Sequence, residues 1–587
     1  MDITNLNQQQ QKAVMHKKGP MLVLAGAGSG KTKVLTDRVK YLIDNGVNKN
    51  QILTFTFTKK AAKEMKDRLK DYNFDNVFTF HSFCYQYIMS NPKQFGINKD
   101  DIYVMLDDYK ERLVSNIIED MNLKINKTKI LQYISKRKNG IDVTFDKSED
   151  ECLYNAIYYR YQEYINNCGA IDFDDMVPLF LKHFNNMQEK DIILRNAKYI
   201  LVDECQDTNK LQYDLVQLLS QLHGNIFMVG DEKQLIYSFR SSDIKIINDF
   251  KDTCDEVIEL KQNYRSASNI LATANKLISN NRSTFDNDIF SLIPPKYNVT
   301  KQLFKSTIEE AYIVSLTIEK LIKSGVNPKN IAILYRNNYQ SSQFELALKN
   351  RHIDYVVYGK NPFNQTPECR KVISAYRFLK NPNDYLLFLL LLPIKKEEME
   401  IFQKGYINKQ ESIIEYAKRC PNEKIKSIAN KLMELKNNKY QFNKADTFEI
   451  IKEILFGDDL KTHQSENLRL LKDIIVASEL SDECEILNEV ALDEVTPEHP
   501  KGVRLMTIHK AKGLEFKCVF LVSLNDGILP AININLDALE EERRLCYVAL
   551  TRAKEYLHVS SAYEHYISGV KKILRPSVFM QEINTCS

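Results

Sequence analysis

The stretch PMLVLAGAGSGKT, residues 20–32, puts an apolar run directly before a glycine-rich loop. That order predicts a buried strand feeding a phosphate cradle. Ala25, Gly26, Ala27, Gly28, Ser29 and Gly30 are small enough for successive backbone N–H groups to close around a triphosphate. Lys31 then reaches the β and γ oxygens, and the Thr32 hydroxyl is placed to hold Mg²⁺. Ala25 stands where the usual pattern begins with Gly. The spacing of Val34, Leu35, Arg38, Val39 and Leu42 predicts a helix immediately after the loop.

Working outward, the 587-residue chain is longer than one core normally supports, so several domains are expected. With 44% hydrophobic and 27% charged residues it has the composition of a globular protein. The opening MDITNLNQQQ lacks the basic-then-apolar layout of a secretory leader, and the run Leu386 to Leu392 is too short to cross a bilayer. A cytosolic protein without membrane contact is expected. Eleven scattered cysteines, with no CxxC pair, suggest neither a disulfide framework nor a zinc site. The net charge of +4 is too small to announce a polyanionic partner. Two local clusters say more: Lys124, Lys127, Lys129, Lys136, Arg137 and Lys138 in one, Lys59, Lys60, Lys63, Lys66, Arg68 and Lys70 in the other. Each is either a solvated helix face or a phosphate contact.

Two further strand-like runs complete a nucleotide-site pattern. Ile200-Leu201-Val202 ends in Asp203 and Glu204, so a parallel sheet would present both carboxylates at the edge where the loop lies. Asp203 is then expected to hold Mg²⁺ and Glu204 to orient and deprotonate the attacking water. Ile226 to Val229 leads into Gly230-Asp231-Glu232-Lys233-Gln234, where the Gln234 amide is placed to sense a γ-phosphate or the attacking water.

With these elements in order, the chain resembles the superfamily 1 helicases of the UvrD, PcrA and Rep type, over residues 6 to about 560. LNQQQQKAV, from Leu6, resembles the adenine-reading Q motif, with Gln10 as the reading amide. TFTKKAAKEM, Thr56 to Met65, resembles motif Ia and TFHSF, Thr79 to Phe83, motif Ib. LVDECQDT, Leu201 to Thr208, resembles motif II, and VGDEKQLIYSFR, Val229 to Arg240, motif III. QNYRS, Gln262 to Ser266, resembles motif IV. TIHKAKGLEF, Thr507 to Phe516, resembles motif V and EERRLCYVALTRAKE, Glu541 to Glu555, motif VI.

The resemblance implies that Arg265 and Arg552 reach the γ-phosphate, the second from a facing lobe, so that hydrolysis depends on cleft closure. It places Tyr264 on the adenine and Glu515 near the ribose. Lys33 stands where relatives often stack a planar Arg on the base, a substitution of an ammonium for a guanidinium. It also implies single-stranded DNA contact by Phe57 and Thr58 in motif Ia, His81 in motif Ib, Tyr237, Phe239 and Arg240 in motif III, and His509 in motif V. Such contact combines base stacking with cation steering. The family usually has Trp at the position of Phe239, and this chain contains no Trp.

The implied fold is α/β: two RecA-like P-loop NTPase domains with parallel sheets, each interrupted by a mainly α-helical accessory domain. The expected boundaries are 1–90 and 186–268 for the first RecA-like domain, interrupted by 91–185. The second comprises 269–370 and 498–587, interrupted by a shorter-than-usual insertion over 371–497. After the strand-like Tyr556 to Ser560 no appended nuclease domain is expected. The implied activity is ATP- and Mg²⁺-dependent 3′ to 5′ movement on single-stranded DNA, with unwinding at single-strand to duplex junctions by a monomer or weak dimer. The alternative is a DNA-dependent translocase that strips proteins or serves a nuclease, repair or defence partner without robust unwinding alone. A third class, a nucleotide-gated binding module with little turnover, is disfavoured by the presence of Glu204, Gln234 and Arg552.

Overall fold

The structure is a computed structural model. It describes residues 3–97, 103–105, 107–141, 143, 145, 150–168, 170–236, 244–282, 288–358, 366–382, 384–394, 396–406, 411–457, 460, 462–478, 483, 486–487, 501–531, 534–567 and 570–583. The chain divides into two compact units, one formed by residues 1–83, 185–360 and 497–587, the other by residues 84–184 and 361–496. No helix among the described residues is long and apolar enough to cross a membrane.

The first unit holds two sheets, and the central strands of each are apolar and buried, as expected of parallel pairing. In the first, strands run side by side in the order Val77–Thr79, Ile52–Thr56, Tyr199–Val202, Ile226–Gly230, Met21–Ala25 and Val257–Leu260, with every pairing parallel. One strand, Ile226–Gly230, therefore separates the strand before the glycine loop from the strand that ends in Asp203. Met21–Ala25 is buried along its whole length, and the following helix Lys31–Asp44 buries Val34, Leu35, Arg38, Val39 and Leu42 as the spacing predicts. Arg38 is admitted to this core because its guanidinium lies 4.6 Å from the Phe227 ring centre and donates to the Val14 and His16 carbonyls at 3.0 and 2.7 Å.

The second sheet runs Thr300–Ser306, Ala553–Ile567, Phe516–Leu521, Ile331–Tyr335, Val503–Thr507, Tyr355–Val357, again parallel throughout. Alternate residues pack on opposite faces: Ala332, Leu334, Val519 and Leu521 join one core, Ile331, Ile333, Cys518 and Phe520 the other. Full burial of each Val, Leu, Ile or Phe side chain among them contributes about 1.5–3 kcal/mol. The final strand is longer than the Tyr556 to Ser560 read from sequence. It continues to Ile567 and turns back through antiparallel Val570–Ile573, followed by helix Val578–Glu582. We call the regions around these two sheets the first and second lobes.

The second unit is helical, apart from a short parallel pair between Tyr103–Val104 and Ala170–Ile171. Helices Asp107–Asp120, Lys127–Lys138 and Glu151–Cys168 share one apolar core with Pro367–Lys380, Glu423–Asn438 and Lys444–Phe456. Asp384 ties the two chain segments together: it caps helix Tyr385–Leu391 and accepts from Tyr109 Oη at 2.7 Å and Tyr164 Oη at 3.0 Å.

The basic cluster over residues 124–138 is largely spoken for. Lys138 is buried, with its ammonium 3.0 Å from Asp172 and 2.7 Å from Asp175, and Lys110 is 3.0 Å from the same Asp172 oxygen. Arg137 stacks on Tyr158 and Tyr159, and Lys127 pairs with Glu111. In the other cluster Lys60, Lys63 and Arg68 lie on the exposed face of helix Lys59–Arg68, the solvated-face reading. Burial alone would raise the Asp172 carboxyl, but Lys138 and Lys110 outweigh it and hold it well below the usual carboxylate range. A carboxyl lowered in the folded state stabilises above its unfolded value and loses that contribution as pH falls below about 4. Lys138→Met leaves buried carboxylates short of a cation and is expected to destabilise the helical unit by about 3 kcal/mol. Urea unfolding followed by far-ultraviolet circular dichroism at pH 7 measures it; an unchanged midpoint contradicts this account.

Candidate active site

The glycine loop joins strand to helix through two left-handed residues, Gly28 (φ +66°) and Gly30 (φ +91°). Close approach adds to the backbone demand: a Cβ on Gly28 would sit 2.5 Å from Asn263 Nδ2, and one on Gly26 2.1 Å from Ile289 Cγ2. Ser29 closes the loop on itself, its N–H and hydroxyl both donating to the Gly26 carbonyl. Lys31 opens the helix with its ammonium 3.4 Å from the Ala25 carbonyl and 3.8 Å from Glu204 Oε2. Thr32 follows on the same first turn, and Lys33 reaches back to the Asn5 carbonyl at 3.2 Å.

Gln10 is buried beneath the loop. Its Nε2 donates to the Ser29 carbonyl at 3.0 Å and its Oε1 accepts from the Asn7 N–H at 3.1 Å, so the amide ties the N-terminal helix to the loop. Asn7 also donates to Tyr264 Oη at 2.9 Å, while the Tyr264 ring stays 49% exposed.

At the end of strand Tyr199–Val202, Asp203 is buried and Glu204 adopts a left-handed φ of +50°, rare for a residue with a side chain. Gln206 holds that turn, donating to Glu204 Oε2 at 2.5 Å and accepting from the Asp231 N–H at 2.9 Å. Burial first, then the neighbouring Glu204, raises the Asp203 carboxyl. Burial also opposes ionisation of Glu204, yet Lys31 and then Lys512 outweigh it and keep that carboxyl below its usual range. The two acids thus have unequal proton affinities, and Glu204 is the one held as a carboxylate. The donor set of Thr32 hydroxyl and Asp203 carboxylate is the hard-oxygen chemistry Mg²⁺ takes, and the glycine cradle beside Lys31 fits a triphosphate.

The second lobe adds cations. Arg552 is 2% exposed, with Nε donating to the Val548 carbonyl at 3.0 Å, Nη1 to Leu514 at 3.2 Å and Nη2 to Gln234 Oε1 at 3.1 Å. Gln234 in turn donates to Asp231 at 2.6 Å. Burial and then the nearby Arg265 press the Arg552 guanidinium below its ordinary value; it remains charged at neutral pH. Two arginines near each other favour an anion between them. Arg265 is held by Glu515 at 2.7 Å, and Glu515 also pairs with Lys554.

The nucleic-acid candidates follow the carboxyl ends of parallel strands. Half-buried Phe57 and exposed Thr58 come after Ile52–Thr56, with the Thr58 hydroxyl capping the next helix through the Ala61 N–H at 3.1 Å. Half-buried His81 follows the adjacent strand Val77–Thr79, and half-buried His509 follows Val503–Thr507. Tyr237, Phe239 and Arg240 lie outside the described residues.

Residues with no assigned role in the sequence reading hold the site together. Asn263, 1% exposed, donates to the Ala27 carbonyl at 2.5 Å and accepts from the Arg265 and Ser266 N–H groups at 2.7 and 2.8 Å. Ser266 donates to the Ala553 carbonyl at 2.6 Å. Lys512 of the second lobe donates to both oxygens of Asp207, at 2.7 and 2.5 Å. Asn263 and Ser266 lie in QNYRS and Lys512 in TIHKAKGLEF, yet only their partners, far away in sequence, reveal what they do.

Residues 6–255 match the UvrD/REP helicase N-terminal domain and residues 258–564 the UvrD-like helicase C-terminal domain. The chain is 31% identical to the ATP-dependent DNA helicase PcrA of Staphylococcus epidermidis, over 99% of this chain and 86% of that protein. It is 30% identical to the ATP-dependent DNA helicase PcrA of Staphylococcus aureus, with the same coverage. With two lobes meeting at a glycine-loop site and both domain matches spanning nearly the whole sequence, this chain belongs to the UvrD/REP helicase family.

Proposed function

We propose that this protein is an ATP-dependent DNA helicase that moves 3′ to 5′ along one strand and separates duplex at single-strand junctions. The observation that carries the reading is the 3.1 Å hydrogen bond from Arg552 of the second lobe to Gln234 of the first, in the unit that also brings Lys31 to Glu204. It makes the nucleotide site sensitive to lobe position. In this reading residues 1–90 and 186–268 form the first motor lobe, residues 269–370 and 498–587 the second, and residues 91–185 and 371–497 the accessory insertions. A cytosolic monomer or weak dimer fits it.

Each side chain has a task in that scheme. Lys31 binds the β and γ oxygens against the loop N–H groups, and Glu204 orients the attacking water and accepts its proton. Thr32 and Asp203 hold Mg²⁺, which when bound offsets phosphate charge. Arg265 exchanges Glu515 for a phosphate oxygen, which frees Glu515 for the ribose, while Arg552 supplies charge from the second lobe. Gln10 reads the adenine edge by trading its present bonds to Ser29 and Asn7, and exposed Tyr264 stacks on the base with Lys33 on the other side. Gln234 reports the γ-phosphate to the strand-gripping groups Phe57, Thr58, His81 and His509, joined by Tyr237, Phe239 and Arg240.

Turnover by the purified protein is expected to rise on addition of single-stranded oligonucleotide. Phosphate release at equal rates with and without it, across a range of salt, would remove the basis for the motor. Lys31→Ala is expected to lower kcat by about 10²-fold or more, since it deletes a charge aimed at the transferring phosphoryl group. Strand displacement should occur on duplexes with a 3′ tail and not on those with a 5′ tail; stimulated turnover without displacement selects the translocase instead. Oligonucleotide affinity should fall linearly on a log–log plot against salt, as phosphate contacts release counterions.

A further inference from the structure

We infer that Lys512 is a positioning residue that makes lobe closure and alignment of Glu204 a single event; the inference rests on the ATP-driven reading above. Lys512 follows the short second-lobe helix Ile508–Ala511, and its side chain is 9% exposed. Its ammonium donates to both Asp207 oxygens and to the Gln234 carbonyl at 2.9 Å, contacts that match the three donors of the group. Both acceptors belong to the first lobe.

Asp207 lies in the turn that carries Glu204. Its side chain is fully buried, and its N–H donates to the Glu204 carbonyl at 2.9 Å. Between them Gln206 grips the Glu204 carboxylate. Lys512 therefore fixes one end of a three-residue turn, Cys205–Asp207, that begins at the left-handed catalytic acid. Through the Gln234 carbonyl it also fixes the residue whose side chain receives Arg552. One ammonium from the second lobe sets the placement of the base and of the phosphate sensor.

When the lobes part, this cation leaves and the Asp207 carboxylate must find water or a proton. In the closed seam a carboxylate without its cation is costly, so removing Lys512 penalises the closed state and leaves the open state nearly untouched. The loop groups that first capture nucleotide belong to the first lobe and keep their geometry. A split between binding and turnover follows, which a general loss of stability would not give.

The test compares the parent protein with Lys512→Met, Asp207→Asn and the double variant. Binding of a fluorescent ATP analogue and steady-state turnover with saturating single-stranded oligonucleotide are measured for each. For Lys512→Met, analogue affinity is expected within about threefold of the parent and kcat reduced about tenfold or more. Adding Asp207→Asn removes the stranded carboxylate and should recover at least about threefold of that loss, a coupling of the size contacting charges show. Should Lys512→Met not fold, Asp207→Asn carries the test from the first lobe, with the same drop in kcat and retained analogue binding. Parental kcat in Lys512→Met, or a double variant no better than it, overturns the inference while leaving the helicase reading intact. Absence of DNA-stimulated turnover in the parent overturns both.

Discussion

Burial of charge across one seam is the constraint on which the working parts depend. Lys512 against Asp207 and Arg552 against Gln234 are polar pairs removed from water, and each is completed by a partner from the other lobe, although Arg552 and Gln234 also bond within their own. A pair of this kind adds little to stability compared with an apolar replacement, but it is demanding about geometry. Sub-ångström mismatch strands a charge. The seam consequently specifies where the second lobe must sit for the first lobe's turn at Glu204 and loop at Gly28 to be correctly formed.

The two parallel sheets make this convergence possible. Parallel strands end at a common edge, and the side chains after those ends are the ones a ligand meets. Lys31, Asp203 and Gln234 follow strands that are neighbours in the first sheet, whereas Lys512 and Arg552 come just before the amino ends of Phe516–Leu521 and Ala553–Ile567, neighbours in the second. Asn263 completes the connection, bonding the Ala27 carbonyl on one side and organising Arg265 on the other. The absence of a Cβ on Gly28 is what allows the two segments to touch.

Much of the fold was legible because its signals are local. The buried strand Met21–Ala25, the helix behind it and the acid-ended strand Tyr199–Val202 each announce themselves within a few residues. The lysine-rich stretch was ambiguous for the opposite reason: Lys138 finds Asp172 and Asp175 across a helical core, and no local pattern separates that from a solvated cation. The same holds for Lys512 and Asp207, which are 305 residues apart. Ala553–Ile567 extends past its strongly apolar segment because pairing with Thr300–Ser306 as far as Glu564, and with Val570–Ile573 beyond it, carries the strand onward rather than hydrophobicity. Arg38 reads as part of an apolar stripe, and its burial depends on carbonyls and a ring supplied from elsewhere in the lobe.

A polar seam also suits the opening of the lobes that the proposed helicase cycle requires. Apolar area closed between lobes would be lost to water at about 25 cal/mol per Å² on each opening, a cost that grows with every residue involved. Charged and amide groups regain hydration when they separate, so the difference between closed and open states stays small although each closed contact is exacting. A modest ligand-dependent preference then suffices to shift the population. Apolar contact at the site includes Ala27, Ile236 and Ile289, which join the second lobe's core at its margin, while the ion pair and the amide bond occupy the positions nearest the catalytic turn. In the proposed motor, placement of the exacting, reversible contacts beside Glu204 lets closure be read out as catalytic alignment, while the apolar contact of Ala27, Ile236 and Ile289 stays at the margin.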